Sequence, residues 1–466
     1  GVLTGHYDNQ VDNYKQDHFQ FHWTQQYNSF WSSTIGLNYT YGRGYYEEYN
    51  DLWATQNIAF GDEVNFDYLQ ITPLVSGGIT IDTTENISRK WLDNNFYVGT
   101  FSLNYDSNQT NAVFGGSYSS YNGDHFGNLI WAQYASNAAP NHRFYESNAD
   151  KKDFNLYSKV TQRLGTAWTV YADVQYRTVA YNSRGTVKGP EPIAIDDTLS
   201  FFNPKAGITY RASEASRLYL SYAKAQREPN RSDYENGTPK SESLNDFEAG
   251  WRFKEEKVQL QANLYYMDYE NQLVLTGALD AVGEPIRTNS GASYRFGLEI
   301  EAAIQFAEQW VWQPNLAVSS NKNKDFYFKR DGLLQNLGTT NISYSPSIVG
   351  ASNLVYAPST VFRIALLSKY VGEQYMGNID ADLSKLEAYL TNDINISYVW
   401  TPNSWIKEAQ FSLLVNNIFN ELYTSNGFFY TFDDDYSVAG VVTTIEGVGY
   451  YPQAGTNFLL GATFRF

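Results

Sequence analysis

Polar and apolar side chains alternate residue by residue along most of this chain, in runs longer than an ordinary strand. From Val258, the residues Val258, Leu260, Ala262, Leu264 and Tyr266 alternate with Gln259, Gln261, Asn263 and Tyr265. From Trp168, the series Trp168, Val170, Ala172, Val174 and Tyr176 alternates with Thr169, Tyr171, Asp173, Gln175 and Arg177. A period of two belongs to β-strands, whose successive side chains point to opposite faces. The runs often reach roughly ten to fifteen residues, against about 5–6 for a typical strand and about 9–11 for one that crosses a bilayer. Each run therefore offers one lipid-compatible face and one wet face.

The connections alternate too. Short turns fall near Tyr27–Ser29, Asp106–Asn108, Leu164–Thr166, Ala212–Ala215, Lys254–Glu256, Ala307–Gln309, Ala357–Ser359 and Thr401–Ile406. Between them lie long polar segments such as Gly42–Lys90, Ser119–Lys151 and Asn420–Gly455. A soluble sandwich has no reason to put its long loops on every second connection, whereas a transmembrane barrel does. About seventeen strands are expected, the first near His18, the third near Asn95, the fifth near Lys152, the thirteenth near Leu337 and the last near Thr456. A short turn follows the first, so odd strands run toward the short-turn side and the seventeenth reaches it at Phe466. Residues 1–16 are then expected in a loop on the opposite side. Seventeen strands starting there do not close a bacterial barrel, so an odd number is expected upstream.

Composition closes off the other classes. Mean hydropathy is −0.46, and no apolar run approaches the roughly 18 residues that a membrane helix needs. Tyr, Phe and Trp supply 17% of residues and charged side chains 18%, below the roughly 25% of soluble domains. The expected fold is all-β, a transmembrane antiparallel β-barrel. A net charge of −17 argues against nucleic acid, which needs clustered Lys and Arg. Glu47, Glu48 and Asp51, and Asp433, Asp434 and Asp435, fall in predicted loops and read as solvated surface. The sharper alternative is a divalent-cation site bridging loops or lipopolysaccharide. There is no Cys, hence no disulfide or thiol chemistry. The chain begins at Gly1 with no signal peptide, so an exported protein is expected to have a longer N-terminal part.

No G-x-S-x-G, H-E-x-x-H or P-loop occurs, so no catalytic centre and no cofactor are expected. Gly42-Arg43-Gly44 and Gly447-Val448-Gly449 read as loop glycines. His18 and His22 lie four apart on a predicted strand and share a face. His125 and His142 fall in the long Ser119–Lys151 segment with Trp131, Tyr134, Arg143, Phe144 and Tyr145, where imidazole and phenol could ligate haem iron; the alternative is a folded loop with ordinary polar histidines. Arg227, Asn230, Arg231 and Tyr234 sit at the outer end of a strand. Guanidinium groups there suit the carboxylate, catecholate or phosphate groups of a ligand, although Glu228, Asp233 and Glu235 are nearby partners.

Several longer stretches resemble one family. LLVNNIFNELYTSNGFF from Leu413, with YYPQAGTNFLLGATFRF from Tyr450, resembles the C-terminal region of TonB-dependent receptors. YLSYAKAQREPNRSDYENG (Tyr219–Gly237) is similar to their Y-A-x-x-x-R-x-P strand end, and Asn263–Gly277 and Thr288–Ala302 to the next two strands. REPNR and YYPQAGTNF look most like iron-complex receptors of the Bacteroidota. The terminal Phe458, Leu460, Ala462, Phe464 and Phe466 resemble the signal by which such barrels are recognised for assembly. The resemblance runs from about Asp17 to the end and is strongest after Tyr219. It implies a barrel of about 22 strands occluded by an N-terminal plug, with the plug, the TonB-contacting segment and about five strands outside residues 1–466. The aromatic stretch Tyr423–Tyr430, with Phe428 and Phe429, resembles a ligand-capping loop tip; the alternative is a tip that folds over a neighbouring loop.

The expected function is TonB-dependent import of a scarce ligand, an iron complex (siderophore or haem), across the bacterial outer membrane. Its partners would be that ligand, TonB, and outer-membrane lipid and lipopolysaccharide. The alternative is a glycan or peptide importer of the same architecture working with a surface lipoprotein. The register also fixes faces: Trp168, Val170, Val258, Leu260, Leu264, Phe458 and Phe464 toward lipid, and Arg177, Gln259 and Gln261 toward the lumen. An Arg at Leu260 should cost about 2–4 kcal/mol if that position is near the bilayer midplane. Urea unfolding in lipid vesicles measures it, and a cost near zero would refute the register.

Overall fold

The computed structural model describes residues 7–52, 62–279, 285–402 and 405–466. Among the described residues seventeen long strands, as many as the alternation predicts, follow one another with antiparallel pairing. The chain divides into two compact units.

The first unit comprises residues 1–161 and 173–202. It holds β1 (Val11–Gln26), β2 (Trp31–Asn50), β3 (Asn86–Asp106), β4 (Thr110–Ala132), most of β5 (His142–Leu164) and β6 (Trp168–Val187), and the start of β7 (Glu191–Arg211). β1 pairs with β2 from Gln26↔Ser32 to Val11↔Glu47, and β2 with β3 from Trp31↔Tyr105 to Asn50↔Asn86. The rings of Phe19, Tyr39 and Tyr97 form a row across these strands, 5.9 and 4.7 Å apart, and Phe19 is 64% exposed. Such an apolar face belongs in lipid. On the other face, His18 contacts Thr40 at 3.0 Å and His22 lies by Gly36, so the two histidines share a side as expected. Arg177 on that polar side pairs with Asp153 at 2.6 Å.

β2 to β7 are 20–23 residues long, about twice what a bilayer requires. Their far ends stand beyond the hydrocarbon with both faces wet, so the hydropathy alternation fades while the ladder continues. This corrects three expectations. Val11–Gln16 belong to β1 rather than to a loop. Gly42–Asn50 and Asn86–Lys90 are strand, including Gly42 and Gly44. The Ser119–Lys151 segment contracts to a connection between Ala132 and His142.

Two of the acids read as solvated are structural here. Glu47 is 3% exposed and accepts from Arg89 Nε, Asn9 Nδ2 and Tyr7 Oη, while Lys90 reaches Glu48 at 2.7 Å. Glu47 thus ties the chain before β1 to β3.

The second unit comprises residues 162–172 and 203–466. The end of β7 pairs with β8 (Ser216–Arg227), and then come β9 (Glu242–Lys254), β10 (Val258–Glu270), β11 (Ala292–Ala307) and β12 (Trp310–Asn323). β13 (Ile348–Tyr356), β14 (Phe362–Val371), β15 (Tyr389–Trp400), β16 (Glu408–Asn416) and β17 (Asn457–Arg465) continue the order. These strands run 9–16 residues, and the tight turns fall where the sequence places them; residues 403–404 of the last turn lie outside the described residues. The thirteenth strand starts at Ile348 rather than near Leu337, because part of the intervening segment forms a separate hairpin, Tyr327–Arg330 with Leu333–Asn336.

The predicted faces hold in this unit. Leu260 lies opposite Phe253 and Ala302, and Leu264 opposite Ala249 and Leu298. Gln261 lies between Arg252 and Glu301. Trp168, Tyr210, Leu218, Trp251, Leu264 and Leu298 line one apolar trough.

Glu47 generates a prediction. Glu47→Ala removes the common acceptor of Arg89, Asn9 and Tyr7, and a hydrogen bond to a charged group contributes about 1.5–3 kcal/mol. Hydrogen exchange should accelerate at Val11–Lys15 while staying unchanged at Phe19–Trp23. Unaltered protection at Val11–Lys15 would show that Glu47 does not anchor that end.

Candidate functional site

In both units the described residues of the long-connection ends form strands, hairpins and short helices, and all the candidate residues lie there. Arg227 is the last residue of β8; its side chain is about half exposed, and its guanidinium meets Glu242 at 3.2 Å. Glu242 also accepts the Leu273 amide, so Arg227 is tethered by a carboxylate that already carries structure. After the buried Pro229, the short helix α1 (Arg231–Glu235) begins. Asn230 caps it: its side chain accepts from the Asp233 amide at 2.8 Å, and the Asp233 carboxylate accepts the Asn230 amide at 2.7 Å. Asn230 is thereby a capping residue. Arg231 pairs with Glu235 one turn on, at 2.6 Å. Tyr234 lies on the same turn.

Asp233 is 4% exposed and is held from outside the helix as well. Arg287 donates to its two oxygens at 3.0 and 3.1 Å, the bidentate geometry that a guanidinium favours. Arg287 belongs to the hairpin of Leu273–Leu279 with Pro285–Asn289, so this pair fastens α1 to that hairpin. Nothing local in the sequence marks Arg287, because its partner lies 54 residues away.

The same hairpin meets a second one. The Leu275 carbonyl accepts from Ser343 Oγ and Asn378 Nδ2, each at 2.6 Å. Gly277, at φ +94°, would place a Cβ 2.8 Å from the Met376 carbonyl and 2.9 Å from that of Phe429, so only glycine fits. Phe429 is buried with Met376 and Leu386. Tyr344 donates to the Gly427 carbonyl at 2.8 Å, and burial pushes its phenol up to about 12.

The aromatic stretch is therefore no loop tip. Thr424–Asp434 is a strand paired with Thr443–Pro452, and the turn lies beyond Asp434. Alternation turns Phe429 inward and puts Phe428, Tyr430 and Phe432 on the other face. Their rings stack at 6.3 and 6.4 Å, with planes 16° and 18° apart. Opposite Tyr430 and Phe428 stand Gly447 and Gly449, where a Cβ would collide with the rings. The G-x-G read as loop thus lies in a strand, clearing space for aromatic rings. The two-residue spacing of both motifs was the available signal, and it also marks Phe432. Tyr423 stands apart from the row and stacks on Tyr389 at 4.3 Å. Arg330–Glu446 (2.9 Å) and Lys329–Asp433 (3.1 Å) clamp the Tyr327–Arg330 hairpin to this one, so Asp433 too is paired rather than merely solvated.

The other four candidates belong to the first unit. His125 is in β4, opposite Leu92, and Trp131 is near the end of that strand, 46% exposed. His142 opens β5 and its Nε2 contacts the Leu69 carbonyl at 3.0 Å. Tyr145 packs edge-on against the fully buried Phe144, at the centre of a core with Phe66, Leu69, Ile71 and Leu129. Aromatic density here serves to bury residues 66–71, and His142 is spent on the same fastening. Among the described residues no group of three or more His, Asp or Glu is set to hold a metal ion.

Residues 2–418 match the family described as TonB dependent receptor-like, beta-barrel. The catecholate siderophore receptor Fiu of Escherichia coli (strain K12) is 22% identical over 298 residues, which is 60% of this chain and 35% of that protein. Among solved structures, the ferric yersiniabactin uptake receptor FyuA from Yersinia pestis aligns with a TM-score of 0.61 at 14% identity, covering 98% of this chain and 62% of that one. The closed form of the ferric-catecholate import receptor Fiu from E. coli K12 gives 0.61 at 15% identity, with 98% and 65% covered. At such identities these structures establish the fold, and the chain spans only part of each relative. The match over most of its length, on a wall of antiparallel strands with the predicted faces, means that this chain belongs to the TonB-dependent receptor β-barrel family.

Proposed function

We propose that this chain is the ligand-gathering wall of an outer-membrane receptor that imports an iron complex, with a plug and TonB-contacting segment outside residues 1–466. The observation that carries the reading is the row of Phe428, Tyr430 and Phe432, beside Gly447 and Gly449, in the same unit as the half-exposed side chain of Arg227. Stacked rings offer a face to another planar ring, as in a catecholate. A chain with 50 acids and 33 bases repels an anion in general, so a local cation is needed to offset that repulsion. The names of the similar receptors, for ferric yersiniabactin and ferric catecholate, agree with such a ligand. No covalent step is required: the wall selects by binding, and TonB acting on the plug would release the ligand inward.

Within this reading Phe428, Tyr430 and Arg227 touch the ligand. Asn230, Tyr234 and Arg231 shape the mouth around them, and Tyr423 supports the wall. In the first unit, where His142 and Tyr145 fasten the core, His125 and the exposed Trp131 are the candidates left for a second recognition surface, with haem the ligand if His125 proves essential. Phe428→Ala with Tyr430→Ala, and separately Arg227→Ala with Arg231→Ala, should each weaken binding of a ferric tricatecholate at least tenfold, about 1.4 kcal/mol. Titration of the full receptor measures this, with outer-membrane yield as the folding control. Unchanged affinity in both would move the site, and absence of iron-complex binding by the parent receptor would overturn the function.

A further inference from the structure

Three arginines stand side by side at the short-turn end of the second unit. Arg217 of β8 is directly opposite Arg211 of β7 on one side and Arg252 of β9 on the other. Residues paired in this way point to the same face. The adjoining row, Tyr210, Leu218 and Trp251, makes the apolar face, so the arginines lie with Tyr219, Glu248 and Gln261 on the polar one. With neighbouring strands about 4.8 Å apart, the three positions span roughly 10 Å. Like charges directly opposed across a ladder destabilise it, and little in the chain relieves them. Arg211 pairs with Glu214, a turn residue whose side chain is 92% exposed. The Arg252 guanidinium lies over the Tyr219 ring at 5.1 Å. Among the described residues no carboxylate is within ion-pairing distance of Arg217 or Arg252. The next acid in register, Glu301, lies two strands beyond Arg252, past Gln261.

We propose that Arg211, Arg217 and Arg252 form a binding site for a small polyanion whose carboxylate or phosphate oxygens spread over the three guanidiniums. Planar forks facing one way from adjacent strands suit such oxygens bidentately, and the ligand neutralises a repulsion built into the wall. The site lies at the end opposite to the aromatic row and does not depend on what the receptor imports.

The test uses the full receptor purified from outer membranes, at low ionic strength, with inorganic tripolyphosphate and citrate as probes. Tripolyphosphate should bind, and should raise the thermal unfolding midpoint. Arg217→Gln with Arg252→Gln should weaken binding at least tenfold and, without anion, should itself raise the midpoint by removing the repulsion. The double Lys variant keeps the charge but loses the fork, and should bind between the two. If neither probe binds the parent receptor, or if the double Gln variant binds as well as the parent, the proposal fails. If the Gln variant is less stable and the parent does not respond to anions, the row is neutralised by carboxylates of the protein itself, and the small-anion site is overturned.

Discussion

Hydrocarbon offers no hydrogen-bond partner, so every backbone N–H and C=O at membrane depth must find one within the chain. For strands the antiparallel ladder is the answer, and the rest of this molecule hangs from it. The ladder fixes which side chains share a face, and so puts Leu260 and Leu264 together and Gln259 and Gln261 on the other side. It also fixes that every second connection lies at one end, so the long segments gather there and build on one another.

The part of the fold inside the bilayer was legible because lipid punishes a polar side chain on the wrong face. Strand number, short turns and faces followed from that one rule. Beyond the hydrocarbon the rule lapses. Gly42–Asn50 and Ser119–Ala132 carry polar residues on both faces, so hydropathy does not reveal that they stay in the ladder. Glu47 looked like a solvated acid for the same reason, since its partner Arg89 is distant in sequence and close only through the β2–β3 register.

The candidate residues were found by type, and type does not separate a ligand contact from a fastener. Arg227 keeps half its side chain exposed, whereas Asn230 is consumed as a helix cap and His142 holds the Leu69 carbonyl. Phe428 and Phe429 are adjacent and alike in the sequence, yet strand alternation buries one and presents the other. What decides each role is a partner distant in the sequence: Arg287, Met376 or Leu69 from another connection, or the Gly447–Gly449 pair from the facing strand. Only the last of these leaves a trace in the sequence, in the matched two-residue spacing.

The strands of 20–23 residues that stand beyond the bilayer have a consequence for whatever meets the cell from outside. A surface made of mobile loops must be frozen by each antibody or phage fibre that binds it, and that ordering weakens the grip. A ladder carried outward is already ordered, so it presents a preformed epitope of backbone edges and fixed side chains. The same rigidity that keeps these strand ends ordered far from the membrane makes their surface an easy one for foreign binders to read.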